Sequence, residues 1–167
     1  MLVANSLRIL SLNCNGIEFI YGRAFDCLSR LLVLRLDGNK LKFLPGDVFV
    51  GLSNLTTLSL RRASLRSLFS RVFAGLKSLE RIDLSGNQLT HLPDTGLRDA
   101  KRLRHMDIAF NRITTLSACV LPQPEIERSY MCAELCPNHL KTVSLVGNMA
   151  LQCDCRLAWL VRIAIFV

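Results

Sequence analysis

Leu7, Leu31, Leu55, Leu79 and Leu103 stand at a constant step of 24 residues, and each opens the same phrase. The phrase reads Leu31-x-x-Leu34-x-Leu36-x-x-Asn39-x-Leu41, then Leu55-x-x-Leu58-x-Leu60-x-x-Ala63-x-Leu65. It returns as Leu79-x-x-Ile82-x-Leu84-x-x-Asn87-x-Leu89 and Leu103-x-x-Met106-x-Ile108-x-x-Asn111-x-Ile113. A sixth copy starts late, as Leu140-x-x-Val143-x-Leu145-x-x-Asn148. The second half of the unit repeats as well: Ile20, Leu44, Leu68, Leu92 and Leu116 form one series, and Phe25, Phe49, Phe73 and Leu97 another. Copies in phase at such a period signal a repeat architecture.

The spacing has a physical reading. An alternating x-Leu-x-Leu-x core makes a short strand with its leucines on one face. One strand cannot bury that face alone, but stacked copies form a parallel sheet over a continuous core held by neighbour contacts. Asn15, Asn39, Asn87, Asn111 and Asn148 fall where the chain turns inward. Their amides suit the buried backbone groups of that turn. Ala63 breaks the series, which predicts a weaker ladder at the third repeat. Return segments such as "PGDVFVGLSN" carry turn residues and read as short helices or irregular turns. Strands sit closer together than return segments, so the coil curves. The expected fold is an α/β solenoid with a short-stranded parallel sheet on its concave face.

The phrase resembles the leucine-rich repeat, and the 24-residue unit with Phe in its second half resembles the typical subtype. That subtype is common in Toll-like receptors, Slit, variable lymphocyte receptors and small leucine-rich proteoglycans. The resemblance covers nearly the whole chain. It implies a horseshoe without catalytic residues that binds a protein ligand or co-receptor on its concave face.

Two stretches depart from the period. From Leu103 to Leu140 the step is 37 rather than 24, and the surplus lies within residues 117–139. This insertion holds Cys119, Cys132 and Cys136. Long loops inside a compact array are functional or tied down. A disulfide-stapled bulge, a ligand-contacting loop and a zinc site with His139 all fit the residues. At the other end of the array, "GNMALQCDCRLAWL" resembles the start of a cysteine-rich C-terminal cap. Cys153, Cys155 and Trp159 match that pattern, while Met149-Ala150 replaces its single Pro. The resemblance implies that both cysteines bond downstream partners and that Trp159 covers the core end; the alternative in this sequence is that they recruit Cys119, Cys132 or Cys136 from the insertion.

The organisation read from these features is a truncated repeat tail at 1–6, five to six repeats over 7–148, and a partial cap over 149–167. Running the register backwards puts Met1 at the repeat's Phe position. The sequence therefore reads as starting mid-repeat, as a fragment or a chain whose cap lies elsewhere would. "MLVANSLRIL" lacks a secretory leader's basic start, and "LAWLVRIAIFV" is too short to cross a bilayer.

Function is read mostly by exclusion. His91, His105 and His139 are scattered, with no HExxH, GxSxG or phosphate-binding glycine loop. No enzyme, cofactor or small-molecule substrate is expected. Seven cysteines and the sequon Asn54-Leu55-Thr56 point to an oxidising, glycosylating compartment, hence to an extracellular or cell-surface protein. An intracellular scaffold with reduced cysteines is the alternative. The net charge of +8 suits an acidic partner. Arg61, Arg62, Arg66, Arg71 and Lys77 run without an intervening acid; such a patch can hold a heparin-like glycan or nucleic acid, or be an ordinary solvated face.

Strand residues that point outward form three columns. The central one is Ser11, Arg35, Ser59, Asp83, Asp107 and Ser144. Arg35, Arg61, Arg81, Asp83, His105 and Asp107 are the candidate contacts, with Phe110 at the edge, because Arg and aromatic residues dominate interfaces. Arg61 beside Asp37, and Arg81 diagonal to Asp107, could instead form internal charge pairs of little worth. Cys14 and Cys27 lie too far apart to bond each other.

Overall fold

The alternation translates directly into strands. A computed structural model describes residues 6–93, 95–97, 100–114 and 142–149. It holds six three-residue strands: β1 (Ile9–Ser11), β2 (Val33–Arg35), β3 (Thr57–Ser59), β4 (Arg81–Asp83), β5 (His105–Asp107) and β6 (Thr142–Ser144). They form one parallel sheet in the order of the sequence. Equivalent residues pair: Leu34 with Leu58, Leu58 with Ile82, Ile82 with Met106. The longer step from Asp107 to Ser144 leaves the register unchanged. The insertion cysteines Cys119, Cys132 and Cys136, and the cap residues Cys153, Cys155 and Trp159, lie outside the described residues.

The result is a curved parallel solenoid. Leu34, Leu58, Ile82 and Met106 are buried at the strand centres, and the second-half series Ile20, Leu44, Leu68 and Leu92 is buried behind them. Phe25, Phe49 and Phe73 stack in one column, with centroids 6.4 and 6.0 Å apart and nearly parallel planes. Leu97 continues that buried column. The return segments are irregular turns, and no α-helix occurs among the described residues. Non-glycine residues with left-handed backbone (Arg23, Arg71) and glycines such as Gly51 and Gly75 interrupt them, and a helix cannot run through such positions.

The asparagines form the second ladder. The side-chain carbonyl of Asn87 accepts from Leu65 N–H at 3.0 Å, while its amide donates to Leu60 O at 2.8 Å and Leu84 O at 2.7 Å. Asn111 makes the same bonds to Leu89 N–H, Leu84 O and Ile108 O. Asn148 repeats them on Ile113 N–H, Ile108 O and Leu145 O, although it stands 40 residues beyond Ile108 rather than 27. Each amide thus ties its own turn to the preceding repeat. At the third repeat Ala63 has no side chain to do so, and its backbone carbonyl takes Leu41 N–H instead, at 2.8 Å.

A finer alternation appears one residue before each asparagine and before Ala63. Cys14, Gly38, Arg62, Gly86, Phe110 and Gly147 all have left-handed backbone, with φ between 51° and 73°. Side chain and glycine alternate along this column, and each side chain lies over the next glycine. A Cβ on Gly86 would meet Arg62 Cγ at 2.9 Å, and one on Gly147 would meet Phe110 Cδ1 at 2.5 Å. Gly86→Ala is therefore expected to lower stability by about 1–2 kcal/mol, mostly from backbone strain. Urea unfolding checks it, and an unchanged midpoint refutes it.

Candidate functional site

Curvature puts the outward residues of six strands on one concave face. Register pairs Arg35 with Ser59, Ser59 with Asp83, Asp83 with Asp107 and Asp107 with Ser144. The flanking column runs through Thr57, Arg81, His105 and Thr142. Together these residues line a groove of about 520 Å³. Five of the sequence candidates meet there: Arg35, Arg81, Asp83, His105 and Asp107. Arg61 is exposed just beyond the groove, and Phe110 is 64% exposed on the rim, above Gly147. The hydroxyls of Thr57, Ser59, Thr142 and Ser144 complete the lining. Their columns are visible in the sequence, but nothing in a Ser or Thr at such a position marks it as a contact.

Local hydrogen bonds hold the acids in place. Asp83 Oδ1 accepts from Ser85 N–H at 2.8 Å and from Ser85 Oγ at 2.6 Å. Asp107 Oδ1 accepts from Ala109 N–H at 2.9 Å. Each carboxylate is thus fixed by one oxygen, and its other oxygen has no hydrogen-bond partner among the described residues. His105 Nδ1 and Thr142 Oγ1 share a 2.8 Å hydrogen bond that ties β5 to β6.

The charge pairs do not form. Asp37 Oδ1 accepts from Ser59 Oγ and from Arg61 N–H, at 2.5 and 2.9 Å, rather than from the Arg61 guanidinium. Among the described residues the one ion pair is Arg23–Asp26 at 3.2 Å, on a return turn. The guanidinium groups of Arg35, Arg61 and Arg81 therefore remain available to a partner. Fixed carboxylates beside uncommitted arginines can recognise a polar, mixed-charge protein surface.

Other candidates sit elsewhere. Asn54 is exposed on a return turn, and its amide donates to Ser29 O at 2.8 Å. Cys14 and Cys27 are exposed free thiols. The basic run from Arg61 to Lys77 wraps around one coil instead of collecting on one face, because consecutive residues of a repeat travel round the solenoid. Among the described residues no helix is long and apolar enough to cross a membrane. No group of three His, Cys, Asp or Glu among them could hold a metal.

The family model described as leucine rich repeat matches residues 5–64, 29–89 and 53–113. No curated protein sequence matches the chain. Among solved structures, the leucine-rich repeat domain of APL1B superposes with a TM-score of 0.63 at 28% identity over 67% of this chain. Toll in the Toll–Spatzle complex of Drosophila, described as a molecular hub in development and innate immunity, gives 0.54 at 27% identity over 68%. Its glycosylated form gives 0.53. This chain spans 34% of the APL1B chain and 18% and 19% of the two Toll chains.

Proposed function

Since the chain belongs to the leucine-rich repeat family, we propose that it is part of the ectodomain of a receptor, adhesion or matrix protein, binding a protein ligand through the concave groove. The observation that carries this reading is the groove itself, where Arg35 and Arg81 stand free of ion pairs among the described residues, beside the fixed carboxylates of Asp83 and Asp107. Leucine-rich repeat relatives are typically binding modules, and the Toll relative is solved in complex with Spatzle, which supports a protein ligand here too. The exposed sequon at Asn54 supports an extracellular setting.

The test has two arms. Secretion from eukaryotic cells is expected to yield a glycan at Asn54, seen as a mass shift that Asn54→Gln abolishes. Secretion without a glycan, or failure to be secreted, argues against the extracellular reading. An array of secreted and cell-surface proteins then supplies ligands. The double variant Arg81→Ala/Asp83→Ala is expected to weaken a genuine ligand by about tenfold or more, since central arginines at interfaces are worth about 1–4 kcal/mol. Full affinity in that variant would rule out the concave face.

A further inference from the structure

We propose that the flank following the strands is a second docking surface, for an acidic polypeptide segment that also carries apolar side chains. Its apolar half is a strip of aromatic rings. Phe19, Phe43 and Phe69 are 44%, 42% and 53% exposed, and Tyr21 is 77% exposed. The rings touch in sequence across three repeats. Tyr21 meets Phe19 at 4.8 Å, Phe19 meets Phe43 at 5.8 Å, and Phe43 meets Phe69 at 6.4 Å, all edge to face. The core beneath does not need them, because Ile20, Leu44 and Leu68 already fill the buried positions next to them. Large contiguous apolar patches on a soluble surface mark interaction sites.

The charged half says what kind of partner fits. Lys40, Lys42, Arg62, Arg66 and Arg112 are exposed on the residues that follow the strands, against the exposed acids Glu18 and Asp47, the latter beside Gly22 at the Tyr21 end of the strip. Lys42 and Arg66 are neighbours at the strip, since Arg66 N–H donates to Lys42 O at 2.9 Å. None of these cations is ion-paired among the described residues. A cationic border around an apolar strip complements an acidic chain with apolar side chains. It fits a base or a sugar less well. Stacking needs an open ring face, and the edge-to-face chain spends faces on neighbouring rings.

Two probes of like charge separate the halves: a random glutamate–tyrosine copolymer and polyglutamate, each titrated by fluorescence anisotropy. The copolymer is expected to bind about tenfold more tightly, the gain from burying one or two apolar side chains. Lys42→Glu/Arg66→Glu weakens both probes. Phe43→Ser/Phe69→Ser weakens the copolymer alone. Lys77→Glu/Lys101→Glu makes the same change in net charge away from the strip and leaves both unaffected. These side chains are exposed, and a cooperative urea transition confirms folding of each variant. Equal binding of the two probes, an equal loss in the Lys77/Lys101 variant, or heparin displacing the copolymer with no effect of the Phe variant would each overturn the proposal.

Discussion

Phe49→Ala is expected to cost about 3–5 kcal/mol, the range for removing a fully buried aromatic side chain. Phe49 is 1% exposed and sits between Phe25 and Phe73, parallel to both. Its loss leaves a cavity with rings on both sides that the ladders hold apart, so collapse is limited. Phe49→Leu tests the same site more gently. Leu97 occupies the equivalent position one repeat beyond Phe73 and is itself buried, so leucine there is compatible with the coil and should cost below about 1.5 kcal/mol. Phe25→Ala should cost less than Phe49→Ala, because Phe25 is 6% exposed and its ring partner among the described residues on that stack is Phe49 alone. Chemical unfolding of the three variants decides the matter. A Phe25 cost equal to that of Phe49 would contradict a core in which each repeat leans chiefly on its neighbours.

How much of this was legible beforehand follows from what a period can encode. Leu34, Leu58 and Ile82 recur at one offset, so their common inward direction, their pairing and their burial could be read from spacing alone. The same holds for the Phe25–Phe49–Phe73 column and for the gap at Ala63. Side-chain direction on the surface could not be read that way. Arg61 and Asp37 do lie in one column on adjacent repeats, yet a nearby hydroxyl, Ser59 Oγ, takes the carboxylate. The aromatic strip escaped because it breaks the period: Phe19 and Phe43 share an offset, whereas Tyr21 and Phe69 stand two residues further on. The alternation of Arg62 over Gly86 and Phe110 over Gly147 is a relation between repeats. A reading of one repeat at a time does not contain it. For the groove, the sequence carried the columns and most of the charged members, but not which charges stay uncommitted.

The asparagine ladder makes the second large prediction, and Ala63 shapes it. Leu84 O and Ile108 O each accept from two amides, one in their own repeat and one in the next. Leu60 O accepts from Asn87 alone, because its own repeat offers Ala63. Asn87→Ala therefore strands Leu60 O, while Leu84 O keeps Asn111 and Leu65 N–H turns to the backbone carbonyl of residue 87, as Leu41 N–H does at Ala63. Asn111→Ala strands no carbonyl, since Leu84 O keeps Asn87 and Ile108 O keeps Asn148, and Leu89 N–H has the same backbone alternative. At about 1–3 kcal/mol for a buried group left unsatisfied, Asn87→Ala should cost about 1–3 kcal/mol more than Asn111→Ala. Ala63→Asn should stabilise the chain by about 1–2 kcal/mol, by giving Leu36 O and Leu60 O the second amide that other turns have. It should also shrink the cost of Asn87→Ala, because the new amide would hold Leu60 O when Asn87 is gone. A double-mutant cycle in urea measures that coupling directly. Additive effects, or an Asn111→Ala cost as large as that of Asn87→Ala, would mean that the carbonyls do not share amides between repeats.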